Sequence, residues 1–249
     1  YIRRIIDGKL DSLVKAFGAV SVVGPKGCGK TRTTKERCNT VIDFEDKTNR
    51  DGYMSVADTS PNLFLNNKMP ILFDEWEDAS KIWGMLRKEC DDNDHFGDFF
   101  LTRSTSKELD VSHSGIGRIA EIEMLPMTLY EMGKSNGSIS LKELFDNPNM
   151  KIGSRTDLKF KDLIELVCFG GWPATLGINS EKGKLLYVKK HIKQICDEDI
   201  SKIDNRKRNP KVAKAILYSY ASKTGTICKM NEIYKLAKKI YPTKTIVCD

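Results

Sequence analysis

Gly24-Pro25-Lys26-Gly27-Cys28-Gly29-Lys30-Thr31 decides the fold. The stretch matches G-x-x-x-x-G-K-[ST], a spacing with a mechanical reason. Glycines let the backbone wrap closely around phosphate oxygens and turn successive N–H groups inward onto the anion. A helix that starts where the loop ends offers its positive N-terminal end to the same phosphates. Residues 19–23 form a short β-rich run ahead of the motif, and residues 31–38 are polar and helix-compatible behind it. That is the context the motif requires. In this reading Gly24, Pro25, Lys26, Gly27, Cys28, Gly29, Lys30 and Thr31 cradle a nucleotide's phosphates. Lys30 neutralises β and γ oxygens, and the Thr31 hydroxyl ligates Mg²⁺. Cys28 is a spacer that contributes its backbone, not a nucleophile.

Two further stretches extend the site. Ile71-Leu72-Phe73-Asp74-Glu75 is an apolar strand ending in two acids. Beside a phosphate loop, Asp74 is placed to hold Mg²⁺ through water. Glu75, one residue on, is the candidate to polarise an attacking water. Phe99-Phe100-Leu101-Thr102-Arg103-Ser104 is a third buried strand with a polar end. At the C-terminal edge of a neighbouring strand, Thr102 is the first candidate for a γ-phosphate sensor and Ser104 the second. Arg103 sets a bulky cation next to it.

Around these motifs the spacing predicts a helix over 1–17, strands at 19–23, 41–44, 71–73 and 99–101, and a helix over 79–90. Residues 49–67 read as a polar loop with a short helix. Residues 134–156 are broken by Gly, Ser, Asn and Pro, and from Leu158 onward the pattern is mostly helical, interrupted by Gly170-Gly171-Trp172-Pro173. Short apolar strands alternating with helices make an α/β fold, a parallel sheet covered by helices on both faces.

Composition excludes other classes. The chain has 249 residues, 40% hydrophobic and 30% charged, with a net charge of +7. That is enough for a hydrophobic core without disulfide staples, and too apolar for a disordered chain. No apolar run approaches the roughly 18 residues needed to span a bilayer, so no membrane partner is expected. Arg3 and Arg4 lead through Ile5 and Ile6 into Asp7, which is not a secretory leader, and the expected location is cytoplasmic. The seven cysteines are scattered, without a C-x-x-C pair, and none of the three histidines is closer than five residues to one. Reduced thiols, rather than a zinc site or a disulfide framework, follow from that spacing. The charge is uneven: residues 201–249 hold 12 Lys+Arg against 3 Asp+Glu, while the first 200 residues hold 29 against 31. A basic end section of this kind suits either a solvated helix pair or contact with nucleic-acid phosphates.

With these segments in hand, the chain resembles the AAA-like P-loop predicted ATPases of bacteria and archaea. The resemblance runs through Tyr1-Ile2-Arg3-Arg4-Ile5-Ile6-Asp7, the phosphate loop, Leu72-Phe73-Asp74-Glu75-Trp76 and Phe99 to Ser104. It continues in His113-Ser114-Gly115-Ile116-Gly117-Arg118-Ile119, in Met124-Leu125-Pro126-Met127-Thr128-Leu129-Tyr130-Glu131, in Gly170-Gly171-Trp172-Pro173-Ala174, and from Ile200 to Ala221. It implies ATP as the nucleotide, a P-loop core at 1–133, a linker and helical lid at 134–200, and a basic, truncated winged-helix segment at 201–249. In that segment 230–239 is a helix, Pro242 a turn, and 243–247 the start of another helix inside which Asp249 stops. A longer natural protein with a nuclease-like C-terminal domain is therefore expected. The resemblance also draws attention to Arg118, either as a sensor or finger on transition-state charge or as a fork pairing a carboxylate. The chain departs from the group at Arg103, where glycine is usual, and in lacking a lid arginine near 172–176.

Three functions compete. One is Mg²⁺-dependent ATP hydrolysis using Lys30, Thr31, Asp74, Glu75 and Thr102, with Arg118 as a further candidate. Another is a nucleotide-gated switch or scaffold with negligible turnover, motivated by Arg103 and the missing lid arginine. The third is DNA binding through residues 201–249, using Lys207, Arg208, Lys211 and Lys214 on phosphates. A homo-oligomer is compatible with all three. A kinase is disfavoured because nothing suggests an acceptor-substrate site.

Overall fold

The computed structural model describes residues 1–94, 96–104, 115–202 and 207–242. The sheet comprises β1 (Ala19–Gly24), β2 (Thr40–Asp43), β3 (Ile71–Asp74), β4 (Phe99–Ser104) and β5 (Ile119–Glu123). All pair in parallel, in the order β2-β3-β4-β1-β5. After β1 the chain crosses beyond the places of β4 and β3 to lay down β2, then returns strand by strand. β5 closes the other side. Such a reversal opens a crevice at the carboxyl ends of the strands, where ligands bind in open α/β sheets.

Successive side chains in a strand point to opposite faces, so the two cores can be read along β1 and β4. Val20, Val22, Leu72, Phe100 and Ile122 face one way and meet Leu10 of α1 (Ile6–Leu13) and the buried Cys28. Ala19, Ile71, Phe73, Phe99, Leu101 and Ile119 face the other and pack under α3 (Arg50–Thr59), a 3₁₀ turn at Pro61–Asn66 and α4 (Lys81–Asp92). Between β1 and β2 lies the short α2 (Lys30–Lys35), which begins at the end of the phosphate loop.

Three expectations need correction. Residues 1–5 are not helical. The Arg4 N–H donates to Asp7 Oδ2 at 2.7 Å and the Ile5 N–H to Glu131 Oε1 at 2.7 Å, so carboxylates take the donors. Residues 49–67 are not mainly loop: α3 and the 3₁₀ turn fill them, and Tyr53 and Phe64 set edge-to-face rings against Phe44. β5 was not foreseen as a strand. It is an edge strand with Glu121 and Glu123 exposed, which weakens its apolar signal.

The chain divides into two compact units, the first running to Leu185 and the second beginning at Leu186. The first also contains α5 (Leu141–Asp146), α6 (Phe160–Phe169) and α7 (Pro173–Leu176). The second continues α8 (Glu181–Gln194) through a π turn at Ile195–Asp199 into α9 (Ile200–Lys202), then α10 (Pro210–Lys223) and α11 (Met230–Ile240). Asn209 caps α10 by accepting from the Lys211 N–H, with Pro210 in the first turn, where its missing donor is harmless. Ala215 and Ala237 bury the α10–α11 contact, flanked by Val212, Ile216 and Tyr234. His113, Ser114, the expected helix at 243–247 and Asp249 lie outside the described residues. Among the described residues no helix is long and apolar enough to cross a membrane.

Candidate nucleotide site

The loop's glycines are demanded by its geometry. A Cβ on Gly24 would stand 2.2 Å from the carbonyl oxygen of Met124. Gly27 and Gly29 take φ values of 79° and 106°, the left-handed region that side chains disfavour. From this turn α2 carries Lys30 and Thr31 against the ends of β3 and β4. The ammonium of Lys30 donates to the Gly24 carbonyl at 3.1 Å and lies 3.3 Å from Glu75 Oε1. The Thr31 hydroxyl donates to Asp74 Oδ1 at 2.9 Å. Thr102 donates its hydroxyl to the same oxygen and accepts the Glu75 N–H at 3.1 Å. Lys30, Thr31, Asp74, Glu75 and Thr102 therefore meet at one end of the sheet, and Thr102 fixes both acids from β4.

Two features were not anticipated. Glu75 adopts φ 50° and ψ 50°, the described chain's one non-glycine residue at positive φ. It sits between β3 and Trp76, which is fully buried and stacked on Trp83 with ring centroids 5.3 Å apart. Burial of Trp76 overrides the local backbone cost, of order 1–3 kcal/mol for such strain. The acidic edge is also broader than two residues: Asp43 is in register with Asp74, and Glu77 accepts the Ser104 N–H at 2.7 Å. A strand end reading Asp43 and the run Asp74-Glu75-Trp76-Glu77-Asp78 carried that signal.

Burial pushes the Asp74 carboxyl up to about 6. The Thr102 and Thr31 hydroxyls oppose the rise, and the neighbouring charges of Glu75 and Asp43 add to it. The Cys28 thiol is raised by burial despite nearby Lys30 and Arg4, consistent with an inert spacer. Two hard oxygen donors, Thr31 and Asp74, joined at the mouth of a phosphate loop, fit Mg²⁺, which takes few protein carboxylates alongside substrate phosphates. Among the described residues no group of three or more His, Cys, Asp or Glu side chains could hold a metal by itself.

Arg103 and Arg118 each pair with a carboxylate. Arg103 projects from the sheet face opposite Thr102 and pairs with Glu121 at 2.9 Å, so it does not crowd Thr102. Arg118 precedes β5, at the amino end of the parallel strands, and donates to Asp91 at 2.5 Å and to the Ile116 carbonyl at 3.0 Å. Five residue steps along β1 separate that end of the sheet from the loop, about 16 Å at the strand rise. Arg118 pairs here with the Asp91 carboxylate through Nε and does not reach this chain's own phosphate loop.

Next to the loop is a cavity of about 310 Å³, lined by Tyr1, Ile2, Gly29, Met127, Pro173 and Leu176 among others. The segment Gly170-Gly171-Trp172-Pro173 is pinned to it. The Met127 N–H donates to the Gly171 carbonyl at 2.7 Å, and a Cβ on Gly171 would lie 2.1 Å from the Met127 oxygen. The sequence marks this motif but not its pairing with Met127.

Two family models match the chain: an AAA domain over residues 16–133 and a domain of unknown function (DUF8612) over residues 160–245. Among solved structures, PCH-2 of C. elegans is similar at 13% identity, covering 94% of this chain and 66% of that one, with a TM-score of 0.29. The chain thus spans just under two thirds of that structure's length. A DNA replication initiation factor is similar at 14% identity, covering 98% and 84%, with a TM-score of 0.30. No curated protein matches. The AAA-domain match includes the phosphate loop, Asp74, Glu75, Thr102 and Arg118.

Proposed function

We propose, from the AAA-domain match over residues 16–133 and the phosphate loop at the strand ends, that the chain binds ATP with Mg²⁺ and hydrolyses its γ-phosphate anhydride. One observation carries the reading: Lys30, Thr31, Asp74 and Glu75 converge within hydrogen-bond or ion-pair distance at the loop. Loop N–H groups and Lys30 bind and orient the phosphates. Thr31 and Asp74 hold Mg²⁺, which supplies charge neutralisation on the phosphate oxygens when bound. Glu75 orients and deprotonates the attacking water, and Thr102 keeps Asp74 and Glu75 in place. The largely apolar cavity beside Gly29 accepts the purine, with Tyr1, Ile2 and Pro173 against its faces. Arg118, half-exposed at the far end of the sheet, is assigned to a neighbouring copy's site in a homo-oligomer. Mg²⁺-dependent phosphate release that disappears in Lys30→Ala and Glu75→Gln supports this function. Release that survives both substitutions refutes it.

A second activity rests on α11. Lys235, Lys238 and Lys239 are exposed at spacings of three and four, opposite the buried Ile233 and Ala237. That stripe suits phosphate contacts on DNA, with affinity falling steeply as salt rises. A triple Lys→Ala variant of these positions should weaken duplex DNA binding and flatten the salt slope by roughly its lost contacts. Unchanged binding removes α11 as the contact.

A further inference from the structure

Arg4 is almost fully buried, and each of its three guanidinium nitrogens donates to a different segment. Nε donates to Glu131 Oε1 at 2.9 Å, one terminal nitrogen to the Cys28 carbonyl at 2.8 Å, and the other to the Leu125 carbonyl at 2.8 Å. Glu131 is equally buried and saturated. Oε1 also accepts the Ile5 N–H, and Oε2 accepts the Thr128 N–H at 2.7 Å and its hydroxyl at 3.1 Å. Burial alone would raise the Glu131 carboxyl, but these donors and Arg4 hold it below its ordinary value. The pair is therefore a buried, hydrogen-bonded ion pair, in which loss of either partner strands the other.

The contact with Cys28 has a geometric consequence. In a trans peptide the carbonyl and the following N–H point in opposite directions. By holding the Cys28 oxygen, Arg4 turns the Gly29 N–H to the opposite side of the peptide, away from the guanidinium. Gly29, at φ 106°, has the backbone freedom to let that peptide rotate if the carbonyl is released. A rotated peptide would aim an oxygen, not a donor, at the phosphates.

We propose that Arg4 is a positioning residue of the phosphate loop: clamped by Glu131, it locks the Cys28–Gly29 peptide with its N–H facing the nucleotide's phosphates and so sets affinity for nucleoside di- and triphosphates. This rests on the ATP-binding reading above, and the test separates the two. In the full chain, Arg4→Gln should lower ATP and ADP affinity about tenfold or more, the scale of a misplaced phosphate donor. In the same nucleotide-free protein the Gly29 amide should exchange faster with solvent deuterium while amides of β1 and β4 stay protected. Arg4→Lys, which restores one donor, should recover part of both. Should Arg4→Gln fail to fold, Glu131→Gln loosens Arg4 without removing it and should show the same Gly29 signature with a smaller affinity loss. Unchanged nucleotide affinity in a folded variant, or lost affinity with Gly29 exchange unaltered, overturns the assignment. Wild-type protein that binds no ATP refutes the proposed function instead, while the nucleotide-free exchange comparison still decides the role of Arg4.

Discussion

The ammonium of Lys30 lies 3.3 Å from Glu75 Oε1, the lysine side chain 4% exposed and the glutamate 15%. In the proposed function, the residue assigned to phosphate and the residue assigned to water are thus an ion pair within one buried site. On that reading a bound triphosphate would compete with Glu75 for Lys30.

Removing that competition should strengthen binding. Glu75→Gln is expected to bind a non-hydrolysable ATP analogue about three- to tenfold more tightly than wild type, the scale of a partly buried ion pair. Calorimetric titration of both proteins checks this, and weaker binding by the variant contradicts the competition.

Backbone strain at Glu75 makes an unusual stability order. Glycine ordinarily destabilises relative to alanine, but at φ 50° the preference reverses. Glu75→Gly should be more stable than Glu75→Ala by about 1 kcal/mol in urea unfolding. Both lose the carboxylate, so the difference reports the backbone alone. An alanine variant as stable as the glycine variant argues against the strain.

The pH dependence of Asp74 has a definite sign. Its folded value of about 6 lies above the ordinary 3.8, so the native state holds the proton more tightly than the unfolded chain. Asp74 therefore favours folding most below about pH 4, and that contribution is lost as pH rises toward 6. In metal-free buffer the stability of wild type relative to Asp74→Asn should fall by about 2–3 kcal/mol across that window. Unfolding free energies measured at intervals between pH 4 and 7 check it. A flat difference contradicts the shifted carboxyl.

The phosphate loop, the strand bearing Asp74 and Glu75, and the strand bearing Thr102 were legible because each is encoded locally: glycine spacing, apolar runs, and polar residues at their ends. The parallel α/β class followed from the alternation of those runs. What was hidden depended on distant partners. Strand alternation by itself sets Arg103 on the face opposite Thr102, but its partner Glu121 lies on a strand too polar to announce itself. Arg118 could not be placed until β5 had a direction. Arg4 looked like part of an amphipathic helix, because its three acceptors are at Cys28, Leu125 and Glu131.

The Gly171–Met127 junction predicts a contrast with Gly177, which lines the cavity. Gly171→Ala sets a Cβ 2.1 Å from a backbone oxygen, whereas the nearest atom to a Cβ at Gly177 is 4.0 Å away. Gly171→Ala should cost about 2–3 kcal/mol and raise the KM for ATP, while Gly177→Ala should leave both nearly unchanged. Thermal unfolding and a substrate titration check the pair. Tolerance of Gly171→Ala contradicts the close approach.

Phosphate released per protein molecule, followed with saturating ATP and Mg²⁺ in wild type and Glu75→Gln side by side, tests the central claim most directly. A hydrolase with Glu75 as its base continues through many turnovers, and the variant, though still binding ATP, slows by a factor of about 10² or more. Wild type that binds ATP stoichiometrically yet releases no phosphate, or turnover that is the same in both proteins, contradicts it.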